Sequence, residues 1–155
     1  MPGIALDCSA ALALFLDDEQ PPLAVALLDA LPGTDVWIPI LWRYEFANAL
    51  LTAQRRRRLT PARSEQILGQ AARLPLHVDT EAPSTASLSE LAATHGLTAY
   101  DAVYLELAQR RQLHLATLDT RLAKAAAAAG VELFDGKPAN CVHEPATRYR
   151  KRPVR

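Results

Sequence analysis

Four carboxylates stand apart from the other acids of this chain: Asp7, Glu45, Asp101 and Asp119. Asp7 closes the apolar run Ile4-Ala5-Leu6. Glu45 lies in LWRYEFANALL, where Trp42, Phe46, Ala49, Leu50 and Ala53 recur at helical spacing and mark a buried stripe. Glu45, Asn48 and Thr52 run along the flank of that stripe, so Asn48 is spaced to orient Glu45 from three residues on. Asp101 shares a helix face with Leu105 and Ala108, where a carboxylate is costly unless something compensates it. Asp119 follows the apolar run LHLAT. None has a basic partner at helical spacing, since Arg43 and Arg121 sit at the wrong offsets. Each has an ordinary alternative. Asp7 and Asp119 could cap helices, Asp101 could face a helix dipole from the first turn, and Glu45 could reach solvent. Gathered in one place, the four would repel strongly unless divalent cations held them. An oxygen-only donor set then points to Mg²⁺, with Mn²⁺ as its substitute. His77, His95, His114 and His143 show no metal-ligand spacing, and no Cys–His pattern supports a nucleophilic role for Cys8.

The elements that must position these acids alternate along the chain. Strands are expected over 3–7, 36–39, 75–79 and 113–117, with a last short one over 131–134. Between them the apolar spacing predicts helices over 8–17, 22–31, 40–57, about 83–95, about 99–111 and 119–129. Ser9 is a candidate cap for the first. Thr60 caps a further helix that opens with Pro61. Gly96 and Gly130 are expected to stop the helices before them. Leu12, Phe15, Leu16 and Leu23 add apolar surface beyond what one core is expected to need. Short apolar strands alternating with amphipathic helices imply an α/β fold, a mainly parallel sheet covered on both faces. Chemistry in such sheets gathers beyond the carboxyl ends of the strands, where Asp7 and Asp119 fall.

With 155 residues, half of them hydrophobic, the chain has the size of one domain that folds without disulfides. Two cysteines, Cys8 and Cys141, fit a reducing compartment. No apolar run reaches membrane-spanning length. The start MPGIALDCSA lacks the basic region of a signal peptide. A cytoplasmic protein with no membrane contact is expected. The net charge is zero but unevenly spread: residues 136–155 hold six Lys or Arg and one Glu. A core domain over 1–135 and a basic, flexible tail over 136–155 are therefore expected. The run Arg55 to Arg58 reads either as a solvated helix end or as a contact for RNA phosphates or an acidic partner.

Four segments carry a resemblance: LDCSA (6–10), YEFANAL (44–50), LTAYDAVYLELA (97–108) and LATLDTRLAKAA (115–126). In order and spacing they resemble a PIN domain, and most of all the VapC-type toxins of bacterial toxin–antitoxin pairs. The resemblance spans residue 3 to about 134. It implies a three-layer α/β/α fold and a metal-dependent endoribonuclease whose acids are Asp7, Glu45, Asp101 and Asp119. It adds Ser9, Asn48 and Thr117 as supporting residues. It also implies a homodimer and a cognate antitoxin that covers the active site. RNA is the implied substrate, with tRNA one candidate. The basic tail is a departure, since the family core does not require it. The chemistry agrees, because phosphodiester hydrolysis needs an activated water and neutralised phosphate charge, both of which a carboxylate-held Mg²⁺ supplies.

Two other classes compete. A phospho-aspartate protein would use Asp7 as nucleophile. The dehalogenase-like form of that chemistry wants an acid at position 9, which is Ser9, and a receiver-like form wants a placed lysine, of which residues 1–135 offer Lys124 alone. A non-catalytic binding module on the same scaffold is the other, and the intact acids argue against it.

Overall fold

The computed structural model describes residues 2–16 and 21–136. The segment expected to form the tail lies, from residue 137 on, outside the described residues. The strands are β1 (Ile4–Leu6), β2 (Val36–Pro39), β3 (Leu76–Asp79) and β4 (His114–Ala116). The helices are α1 (Cys8–Leu16), α2 (Pro22–Ala30), α3 (Leu41–Arg55), α4 (Pro61–Ala71), α5 (Thr85–His95), α6 (Ala99–Arg111) and α7 (Thr120–Ala128).

The four strands form one parallel sheet in the order β3-β2-β1-β4. That order follows from handed crossovers. The chain steps from β1 to β2 to β3 in one direction, which places α1 to α4 on one face. It then returns to the far side of β1, which places α5 and α6 on the other. The packing agrees: α1 meets α2 and α3, α3 meets α4, and α6 lies between α5 and α7 while crossing β1, β2 and β4. Ile4, Ala5, Val36 and Leu115 are entirely buried under these layers. Coverage on both faces explains why the central strand β1 is continuously apolar and buried rather than alternating.

Local chemistry sets most boundaries. Thr60 accepts a hydrogen bond from the Arg63 N–H at the start of α4, with Pro61 at the first helical position. Gly96 ends α5 in the left-handed conformation, at φ 63°. α3 closes differently. The N–H of Arg57 donates to the Gln54 carbonyl and that of Arg58 to Ala53, with Arg57 itself left-handed at φ 56°. The helix thus ends in a left-handed turn built without glycine.

Three expectations need correction. Residues 131–134 form no strand; a single parallel bridge joins Leu133 to Leu115. The Leu115 N–H donates to the Glu132 carbonyl and the Phe134 N–H to the Leu115 carbonyl, both at 2.9 Å, and Val131 and Phe134 are buried, so the segment still covers the edge of β4. Ser9 does not precede α1 as a cap but lies within it. Leu12, Phe15, Leu16 and Leu23 are not surplus: all pack partly buried against the core. Among the described residues, no helix is long and apolar enough to cross a membrane.

Candidate active site

The sheet reverses direction at β1, where the chain leaves toward β2 on one side and returns as β4 on the other. Ligand sites in open α/β sheets form at this reversal, beyond the carboxyl ends of the strands. Asp7 follows β1 there, and its N–H donates to the Ala116 carbonyl of β4 at 2.9 Å. Thr117 and Asp119 follow β4. The other two acids arrive on helices, Glu45 one turn into α3 and Asp101 in the first turn of α6.

All four acids line one cleft of about 340 Å³, together with Cys8, Ser9, Leu12, Asn48 and Ala49. Among the described residues no basic side chain lines it. Asp7 is buried at 7% exposure, yet it is richly bonded. Ser9 and Thr117 both donate their hydroxyls to its Oδ2, the latter at 2.7 Å. Ser9 Oγ in turn accepts the Leu118 N–H at 3.0 Å, and Thr117 Oγ1 accepts the Asp119 N–H at 3.0 Å. These bonds tie the ends of β1 and β4 together around one carboxylate. Burial still raises the Asp7 pKa, against the pull of those donors.

Glu45 is half-buried. Burial raises its pKa, the Tyr104 hydroxyl that donates to its Oε2 opposes the rise, and the charges of Asp7 and Asp101 add to it. Three of the acids therefore feel one another. Cys8 beside them has its thiol pushed up to about 12 by burial and by the charges of Glu45 and Asp7, which keeps it protonated and poorly nucleophilic.

Asp101 and Asp119 also do the structural work that their positions allowed. Asp101 Oδ2 accepts the Thr98 hydroxyl at 2.7 Å and the Thr98 N–H, while Thr98 Oγ1 accepts the Asp101 N–H, a complete capping box for α6. Asp101 is thus half-buried at a helix start, at the end of the face that carries the buried Leu105 and Ala108. Asp119 Oδ1 accepts the N–H groups of Arg121 and Leu122 at the start of α7. In both cases the capping bonds use a single carboxylate oxygen. Capping and a role in the cleft are compatible, because each task takes a different oxygen.

The residues fit a hard divalent cation in donor chemistry. They are oxygen donors, mutually repulsive, partly desolvated, and without a neutralising basic side chain in the cleft. They do not form a finished cage: among the described residues no three acids, histidines or cysteines stand close enough together to grip one ion as they lie. A Mg²⁺ that keeps several waters needs only one or two direct carboxylate bonds, which such an open arrangement allows.

Asn48 lines the cleft and is exposed, but makes no hydrogen bond to Glu45. The bond expected from Asn48 comes instead from Tyr104, which the spacing of the acids did not indicate. One signal was available. A tyrosine on the buried face of α6 requires a partner for its hydroxyl. His77 and His114 lie elsewhere, each beside a carboxylate, Asp35 and Glu132 respectively. Lys124 does not line the cleft, so it offers no support for a phospho-aspartate at Asp7.

Comparison with known proteins places this arrangement. No curated protein sequence matches the chain. Among solved structures, PAE2754 from Pyrobaculum aerophilum superposes with a TM-score of 0.64 at 27% identity, over 80% of this chain and 84% of its own. FitAcB from Neisseria gonorrhoeae shares the fold, with a TM-score of 0.61 at 21% identity over 86% of this chain and 97% of its own. PIN domains are generally nucleases that use divalent metals. The PIN domain family model matches residues 4–128, a span that holds every strand and helix among the described residues and all four acids of the cleft, and the chain belongs to that family.

Proposed function

We propose that this protein is a Mg²⁺-dependent endoribonuclease, the toxin of a toxin–antitoxin pair of the VapC type. One observation carries the nuclease reading: four acids from separate elements line a single cleft at the sheet reversal, with no basic residue among the described ones. The toxin reading rests on the resemblance of the four acid-bearing segments to VapC-type sequences. Asp7, Glu45, Asp101 and Asp119 would hold one or two cations. A bound divalent ion supplies Lewis acidity toward the phosphate and a lowered water pKa. Ser9 and Thr117 fix Asp7, and the caps at Asp101 and Asp119 fix those two carboxylates on rigid helix starts. Asn48, exposed on the cleft wall, is placed to contact substrate or a water. RNA, with tRNA one candidate, is the substrate. The partners are a cognate antitoxin and a second copy of the chain, and the setting is the cytoplasm.

Along α3 the cleft adjoins a groove of about 460 Å³ lined by Leu16, Ala49, Thr52, Ala53, Arg56, Arg58 and Leu59. Ala49 borders both. Glu45 and Arg56 are eleven residues apart, about 16 Å along the helix. The arginines are thus set to meet RNA phosphates away from the point of cleavage.

Partner-free protein should cleave RNA with Mg²⁺ or Mn²⁺, stop with EDTA, and leave a 5′-phosphate and a 3′-hydroxyl. A 2′,3′-cyclic phosphate would overturn the metal-water route. Sequencing new 5′ ends after brief induction in cells would identify the RNA.

A further inference from the structure

We propose that Tyr104 is the positioning residue for Glu45: its buried hydroxyl holds one carboxylate oxygen, so that the other is presented to the cation. The inference rests on the reading of Glu45 as a metal ligand, and adds a residue to which neither the acids' spacing nor the resemblance assigned a role.

Tyr104 is 1% exposed, among the largest fully buried side chains. A buried hydroxyl must find a partner, and the partner here is Glu45 Oε2. The bond joins α3 to α6, helices that pack on opposite faces of the sheet. It also joins the acids. Tyr104 lies three residues after Asp101 on α6, so the helix that carries one cleft acid restrains another. The Glu45 side chain is long and rotatable, and it is only half-buried, so packing alone does not fix its carboxylate. Asp7 has an equivalent restraint, two hydroxyl donors on Oδ2. Asp7 and Glu45 are thus both held by hydroxyls from other elements or loops. Asn48, on the same helix as Glu45, supplies no such bond.

Mn²⁺ titration by calorimetry on the intact protein tests this, using Tyr104→Phe, Glu45→Gln and the double variant. Phenylalanine keeps the ring and its packing and removes the hydroxyl alone. Tyr104→Phe should weaken Mn²⁺ binding about 10- to 100-fold, the usual loss for a group that orients a ligand. In the Glu45→Gln background the same change should cause no further weakening, because the carboxylate it restrains is gone. A Tyr104→Phe variant that binds Mn²⁺ as wild type does, or one that weakens binding equally in both backgrounds, would reduce Tyr104 to a packing residue. The parent reading fails in a different pattern: wild type then ignores Mn²⁺, or Glu45→Gln binds it unchanged, and the positioning role falls with it.

Discussion

Asp7 is a residue whose buried charge is unfavourable for the fold and which the proposed function needs in the cleft. Burial raises its folded pKa above the ordinary 3.8. A group shifted in that direction contributes stability that is present below the unfolded pKa and lost as pH rises through the folded one. At neutral pH the metal-free protein therefore bears an unfavourable buried charge. Asp7→Asn removes the charge and keeps an oxygen to accept the Ser9 and Thr117 hydroxyls. The metal-free variant should melt at or above the wild-type temperature at pH 7, and the advantage should shrink as pH falls through the raised folded pKa and be gone below about 4. Its nuclease activity should vanish. With Mn²⁺ at a hundredfold excess over its Kd, wild type should gain about 2.7 kcal/mol and the variant much less. Thermal melts across pH, with and without Mn²⁺, check all of this. A variant clearly less stable than metal-free wild type at pH 7 would mean that Asp7 is a structural cap.

The elements are held in register by a network away from the cleft. Asp79 ends β3 at 4% exposure, and its two oxygens meet Arg110 and Arg111 from the last turn of α6. Arg111 also stacks over Trp37, 3.9 Å from the ring centroid, which sets α6 against β2. Burial acts to raise the Asp79 pKa, but the bonds and charges of the two arginines outweigh it and hold the group below the usual carboxylate range. A depressed pKa contributes stability present above the unfolded value, which is lost as pH falls through the folded one. Asp79→Ala removes the carboxylate that the two arginines share, while Arg110 keeps Glu106 and Glu81, and should destabilise the protein by about 2 kcal/mol at pH 7. The gap from wild type should narrow in acid, below the ordinary value of 3.8. Urea unfolding at pH 7 and pH 3 measures it. An equal gap at both would assign the loss to packing instead.

Over the whole molecule, charge is divided between an acidic body and a basic end: residues 136–155 carry six of the 17 Lys and Arg. The body nonetheless has its own basic edge at Arg56 and Arg58, beside the groove that adjoins the cleft. Removing one cationic side chain from an RNA phosphate should make the salt dependence of binding shallower by about one unit of slope. Arg56→Ala/Arg58→Ala should therefore lower the slope by about two, and removal of residues 137–155 should show separately what that segment contributes. The cut belongs after Gly136, because Gly136 is packed: a Cβ there would stand 2.3 Å from that of Ala26 in α2. Binding curves over a salt series decide which basic segment touches RNA. An unchanged slope in the double variant would return Arg56 and Arg58 to the status of a solvated helix end.

The order of strands and helices, the caps at Thr60 and Gly96, and the four acids were all legible in the residues. Apolar periodicity, turn chemistry and charge on otherwise apolar surroundings are local properties that a linear reading can follow. The absence of a full strand over 131–134 was not legible, since the short segment VELF packs equally well with a ladder or with a single bridge, and only its neighbours decide. Ser9 misled for a related reason. A serine near a helix start has a local partner by default, and the competing partner, Asp7 braced also by Thr117, is assembled from residues 110 positions apart. Tyr104 was hidden in the same way: on α6 it reads as a core aromatic, and its hydroxyl acquires meaning when α3 delivers Glu45 across the sheet edge. The sequence by itself determined the elements and the chemical types of the site. The tertiary structure decided which hydroxyl restrains which carboxylate, because hydrogen bonds between distant residues depend on crossovers that bring strand ends and helix starts to one point.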